Sequence, residues 1–385
     1  MIALFVAIAI LAWPYIDLAV DLDIAGRHLD TPVADLAGAV LFAVIALDAL
    51  AEPPRLTRPS LAGYAAFVAL ALVAVPFVPD RGASAWYLLR KPVFFYVAYG
   101  VVLATVVRDR GAPVRPLLLA AVTLASTITL VSSAGRILAG NTLWWSAIEG
   151  LTNNHKTLAV AIAPTLPLIL GMRRSRLDLV VVGLALVALL ASVSRTAWIT
   201  AAVGLAFFVV WQGRTIASRR GVVLGVIALG AALAVYTPVL MRSHAQMDAA
   251  RSRHSLDKRA WEMVESRPAL GWGGGASTRY EMTLSPHYRI NGVDAHGAVQ
   301  KVGAEFGLLG LGAWLAFVVG MGARLRSRAA LLPPMRDVLA PAHLHLGIWA
   351  TFVALHANLL FSTETFSQTH WIPLGLLWGL SERRR

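Results

Sequence analysis

Stretches of eighteen or more apolar residues recur along this chain, and that recurrence leaves few folds open. When helical, each stretch is long enough to cross a hydrocarbon core ~30 Å thick. Inside lipid every backbone amide and carbonyl must find a partner within the protein, so helices or a closed barrel remain. The runs are continuous and lack the two-residue alternation of a barrel strand, so helices are predicted. Composition agrees: 14% of residues are charged and 57% are hydrophobic, against roughly a quarter charged in a soluble domain. The predicted fold is all-α, a polytopic integral membrane protein of about 12 transmembrane helices forming one domain over 1–385.

Spans are predicted near 1–19, 32–50, 60–79, 91–107, 113–133, 157–172, 177–193, 196–212, 221–239, 297–323, 338–361 and 370–382. The first has no basic n-region and reads as a signal anchor rather than a cleaved signal peptide. Six segments on one side of this threading, among them Arg173, Arg174 and Arg176 and the terminal Arg383, Arg384 and Arg385, hold 18 cations. The five short connections on the other side hold about 7. Cytoplasmic segments are enriched in lysine and arginine, so both termini are predicted to be cytoplasmic in a bacterial inner membrane. The net charge of +13 is then a matter of orientation and lipid contact, and no nucleic acid is implied.

With no cysteine in the chain, disulfides, iron–sulfur clusters, thiolate zinc and a thiol nucleophile are excluded. The sequence also lacks an H-E-x-x-H motif, a carboxylate cluster at metal spacing and a nucleotide-binding loop, so no metal or cofactor is predicted.

Residues 240–296 form the one long connection, placed on the periplasmic side, and they carry Arg242, Arg251, Arg253, Lys258, Arg259, Arg267, Arg279 and Arg289. Two readings fit these cations: a basic loop resting on anionic lipid, or a site for an anionic substrate. Within the loop, Ser255 to Ser266 is predicted to be an amphipathic helix stopped by Pro268. Leu256, Ala260, Met263 and Val264 share its apolar face, which suits a helix lying in the membrane interface. Arg259 lies at the edge of that stripe, its stem apolar and its guanidinium toward headgroups. A glycine-rich turn, Pro268 to Gly275, follows, able to bring backbone close to a ligand.

Three further polar residues stand out. Arg195 sits between two apolar spans joined by almost no loop, either snorkelling to headgroups or serving a site. Trp198, nearby, has the character of an interfacial anchor. His296 ends the long loop, where a helix starting at once would align it with Gln300, Gly303 and Gly307, the glycines admitting a close neighbour. A histidine titrates near neutrality, which suits proton transfer. Asn153 and Asn154 are placed to cap a helix at His155, and Lys301 and Glu305 have the spacing of a mutually neutralising pair.

In order and spacing, Ser194 to Trp198, Arg259-Ala-Trp261, Pro268 to Gly273, Ala295-His296 and Glu305 to Gly310 resemble the O-antigen ligase family. O-antigen polymerases and bacterial O-oligosaccharyltransferases are its relatives. Asn153-Asn154 is similar to the asparagine-bearing start of the family's core, and the resemblance covers 150–320. One departure is Gly297, where the family often has asparagine. The resemblance implies a fold like GT-C-type lipid-linked sugar glycosyltransferases. It implies transfer of a glycan from undecaprenyl pyrophosphate to a sugar hydroxyl of lipid A–core at the periplasmic face, without metal or nucleotide. It assigns the catalytic role to His296 and pyrophosphate binding to Arg195 and Arg259, with Trp198, Arg289, Asn154 and Arg136 as supporting candidates. A polymerase using the same donor is the nearest alternative. A transporter or flippase of lipid-linked sugars, which needs polar residues through both halves, is the alternative of another class.

Overall fold

The computed structural model describes residues 2–15, 19–24, 27–51, 56, 61–109, 113–138, 155–192, 194–211, 230, 256–279, 297–329, 341–362 and 364–382. The chain is mostly helical. Helix occupies eleven of the twelve predicted spans, and the remaining one, 221–239, lies outside the described residues except for a helical Gly230. By length and composition, Arg81–Asp109, Val114–Ser133 and Ala298–Ser327 are long and apolar enough to cross a membrane. Shorter apolar helices include Ile2–Ala12, Leu61–Phe77, Leu158–Gly171 and Arg195–Trp211.

Two departures from the predicted threading are local. The first helix stops at Ala12, and Ala19–Ile24 pairs with Arg27–Pro32 in an antiparallel two-stranded ribbon. In that ribbon Val20, Leu22 and Ile24 alternate with Asp21 and Asp23, the two-residue period of a strand. The helix Arg81–Asp109 carries two wide-turn stretches, Leu89–Val93 and Tyr96–Leu103. Pro92 lies in the first, where it has no N–H to donate, and its carbonyl accepts from the Tyr64 hydroxyl at 2.6 Å.

Small residues and aromatic rings hold the helices together. Gly171 and Gly347 bring Leu166–Gly171 and Pro341–Leu359 into backbone contact, since a Cβ on Gly171 would lie 2.8 Å from the Cα of Gly347. At the centre Tyr64 stacks on Tyr96 with ring centroids 4.1 Å apart, and the Phe317 and Trp371 rings pack edge-on against Tyr64.

Connections sort into two layers by the contacts they make. In one layer Arg115 pairs with Asp178 at 2.6 Å and Arg108 with Glu382 at 3.4 Å. Arg173 lies within electrostatic reach of His343, and Arg326 of His345. In the other layer Arg267 Nη1 donates to the Phe77 carbonyl at 3.0 Å, the Gly274 amide to Ser84 Oγ at 2.9 Å, and Ser133 Oγ to the Ala191 carbonyl at 3.3 Å. Each layer holds connections that alternate threading assigns to the same side.

Candidate functional site

The loop helix predicted at Ser255 to Ser266 is present over 256–266. Its stripe of Leu256, Ala260, Met263 and Val264 is buried, as the spacing required. The surface that buries it is protein and not the membrane interface: Ala260, Met263 and Val264 cluster with Ala276 and Ala304 beside Trp272. Arg259 goes in with them and is 9% exposed, so its guanidinium is not directed outward to headgroups. On the opposite face Lys258 and Glu262 are exposed and 3.9 Å apart.

The surface receiving this helix is the start of Ala298–Ala329, and that helix is broken. Gly307 has φ 68° and ψ −175°, a conformation essentially confined to glycine. The break separates the carbonyls of Ala304 and Glu305 from the amides of Leu308 and Leu309, their partners in an intact helix. The glycine-rich turn supplies all four substitutes. Trp272 and Gly273 amides donate to the Ala304 and Glu305 carbonyls at 3.0 and 2.7 Å. Leu308 and Leu309 amides donate to the Pro268 and Ala269 carbonyls at 2.7 and 3.4 Å. Unpaired backbone groups are costly away from water, so this exchange is what allows an apolar helix to break here.

The glycine turn therefore approaches protein, not an open ligand space. Gly273 backs onto Ser84 and Val78, and Gly274 and Gly275 lie against the Tyr87 ring. Trp272 locks the turn to the loop helix by donating Nε1–H to the Met263 carbonyl at 3.0 Å, under an Arg267 guanidinium 4.5 Å from its ring centre. Glu305 is fully buried at the break and accepts from Ser277 Oγ at 2.7 Å. Lys301, one turn earlier, is buried as well. The sequence presents these two as a mutually neutralising pair and does not single out Ser84, Tyr87 or Ser277; a charge every fourth residue along an otherwise apolar stretch is the available signal for burial.

Arg195 opens the helix Arg195–Trp211 and is partly exposed. Ser194 precedes it, its Oγ 3.4 Å from the Ala197 amide at the position of an N-cap. Trp198 is 1% exposed and is no interfacial anchor: its indole donates to the Leu189 carbonyl, tying Arg176–Ser192 to Arg195–Trp211. Two residues further, Thr200 Oγ1 is 3.4 Å from Asn358 Oδ1 at the end of Pro341–Leu359.

That same helix end meets the start of the broken helix. Gly297 has φ 152°, and a Cβ there would lie 3.2 Å from the Leu360 carbonyl and 2.2 Å from Gln300 Oε1. Asparagine would be strained at this backbone angle, which accounts physically for the departure at Gly297. Helix begins at Ala298, after the bend at Gly297, and the alignment predicted for His296 with Gln300 involves a residue outside the described ones. His296, Arg289 and Asn154 lie outside the described residues; Arg136 falls in Val114–Leu138, which runs past the predicted end at 133. The segment Asn358–Leu360 thus bridges the Arg195 helix and Gly297, while the Arg259 helix covers Gly303 and Ala304 just beyond. Among the described residues no group of three or more histidines, aspartates or glutamates is placed to hold a metal.

These features define a mostly helical protein with membrane-length apolar helices, whose basic loop is stitched into a broken helix at one layer. Residues 180–315, about a third of the chain, match the family described as O-Antigen ligase, which supports an assignment to that family. The matched stretch contains Arg195, Arg259, His296, the glycine turn and the break at Gly307. Members are glycosyltransferase-like ligases and polymerases, and lipid-linked glycans are their substrates in general. No curated protein matches the chain.

Proposed function

We propose that this protein is an O-antigen ligase of the bacterial inner membrane. It transfers a glycan from undecaprenyl pyrophosphate to a sugar hydroxyl of lipid A–core, using about 12 spans, cytoplasmic termini and a periplasmic site. The observation that carries the reading is the convergence of two arginine-bearing elements on one layer. The Arg259 helix is stitched against the first turns after Gly297, and the Arg195 helix reaches that point through Asn358.

The chemistry follows from these groups. The leaving group is a lipid pyrophosphate that gains negative charge as its bond to the anomeric carbon breaks. Arginine forks match phosphate oxygens in pairs, and a guanidinium as buried as Arg259 acts with less screening than one in water. His296 is the general base: it takes the acceptor hydroxyl proton as that oxygen bonds to the anomeric carbon, a contribution of ~10²–10⁴-fold. One displacement inverts the anomeric centre.

The test is attachment of O-antigen to lipid A–core by His296→Ala and Arg195→Lys proteins inserted at wild-type level. The expected result is loss of attachment in both; full attachment by His296→Ala would remove the general-base role. Retention by Arg195→Lys would reduce Arg195 to a point charge. The polymerase reading, which the family match equally admits, predicts instead a lengthened lipid-linked glycan with no lipid A–core product. A carrier would move the donor across the membrane without releasing undecaprenyl pyrophosphate.

A further inference from the structure

At the other layer a cavity of about 680 Å³ opens between Ala298–Ala329 and Pro341–Leu359. Val319, Gly322 and Arg326 line one side of it, and Trp349 and Phe352 the other. The two rings stack with centroids 5.4 Å apart and planes 5° from parallel, giving a flat wall. Gly322 is what admits that wall, because a Cβ there would come within 2.8 Å of the Phe352 ring. Val319 is 69% exposed, so the groove opens sideways from the bundle. The far end is closed by His356, whose Nδ1 lies 2.8 Å from the Phe352 carbonyl.

The groove is amphipathic along its length. Its lining is apolar apart from His356 at the far end and Ser327 and Arg326, an exposed cation, at the other. Ser327, beside it, turns its hydroxyl back to the Arg324 carbonyl at 3.0 Å, so the charge at that end is that of Arg326. From Val319 to Arg326 a helix rises ~10 Å, against ~15 Å for the hydrocarbon of one leaflet. We propose that the groove binds one anionic glycerophospholipid, its acyl chain along the Trp349–Phe352 wall and its phosphate on Arg326. The complementary occupant is fixed by charge and length: an anion at Arg326 and a single-leaflet chain beyond it. A polyprenyl pyrophosphate donor, under the reading above, carries its phosphates to Arg195 and Arg259 in the other layer.

Full-length protein is exchanged with an equimolar mixture of phosphatidylglycerol and phosphatidylcholine of the same acyl chains, and retained lipid is counted by native mass spectrometry. Wild type is expected to retain phosphatidylglycerol about five-fold over phosphatidylcholine, the ~1 kcal/mol that one arginine contributes toward an anionic lipid. Arg326→Ala, at an exposed position, brings that ratio to about one, and Arg324→Ala, on the same helix but outside the groove, leaves it at the wild-type value. Val319→Trp fills the groove from its open side and lowers retention of both lipids. An unchanged ratio in Arg326→Ala overturns the headgroup site, and unchanged retention in Val319→Trp overturns the chain site. Displacement of the retained lipid by equimolar undecaprenyl phosphate assigns the groove to isoprenoid lipid and likewise overturns the proposal. None of these readouts depends on glycan transfer, so the ligase reading stands or falls separately.

Discussion

Gly307 and Gly312 show how differently two glycines of one helix can behave. At Gly307 the backbone angles suit glycine alone, and a Cβ would lie 2.3 Å from the Ala269 carbonyl oxygen. At Gly312 nothing lies within 4 Å of an added Cβ. Gly307→Ala is therefore expected to lower stability by roughly 1–3 kcal/mol from the backbone conformation alone, with further loss from displacing the turn. Gly312→Ala should stay within ~1 kcal/mol of wild type. Thermal unfolding of both variants in one detergent, followed by tryptophan fluorescence, checks this; equal midpoints would show that no break exists at residue 307. The sequence allowed Gly303 and Gly307 to be read together as small residues for a close neighbour, and Val264 does approach Gly303, its Cγ2 3.2 Å from where a Cβ would stand. The break itself was not legible, because its four backbone partners come from Pro268 to Gly273, far away along the chain. Burial of Arg259 and Trp198 was hidden for a related reason: an amphipathic residue beside a span has the same local pattern whether lipid or protein covers it.

Among the elements, the long apolar helices were the most legible, since continuous hydrophobic runs identify them without reference to tertiary contacts. The helix 256–266 was legible too, through the spacing of Leu256, Ala260, Met263 and Val264. Its partner was not, for an apolar stripe specifies burial and not the surface that provides it. The structure supplies the partner as Gly303 and Ala304, and this docking is what places Arg259 in the candidate site. A native chain without cysteine makes the contact directly testable. A Val264→Cys, Gly303→Cys double variant is expected to form one intramolecular disulfide under mild oxidation, because Val264 Cγ2, about where a cysteine sulfur would stand, lies 3.2 Å from the position of a Cβ on residue 303. Mass mapping of the cross-linked peptides reads the result, and each single variant should give none. Failure of the pair to cross-link would detach the Arg259 helix from the broken helix and remove the observation on which the ligase reading rests.

At the scale of the whole molecule, charge and contact each group the connections between helices. Counting cations divides the connections into a set with 18 and a set with about 7. Contacts divide them again, with Arg115–Asp178 and Arg108–Glu382 in one layer and Phe77–Arg267 and Ser84–Gly274 in the other. Each contact joins connections that alternate threading puts on one side, and the long loop, which the cation count leaves out, is joined to the connection at Phe77 and Ser84. What orientation adds is access: a lipid-linked glycan exposed to the periplasm can reach Arg259 only if the Phe77–Arg267 layer faces that way. Glu262 and Ser175 are exposed residues of opposite layers, so each can report its own side. In spheroplasts, a membrane-impermeant maleimide should label Glu262→Cys before lysis and Ser175→Cys only after it, because cation-rich segments stay cytoplasmic. The reverse pattern would put the basic loop in the cytoplasm, where the proposed acceptor is not presented, and would end the ligase reading whatever the fate of the individual site residues.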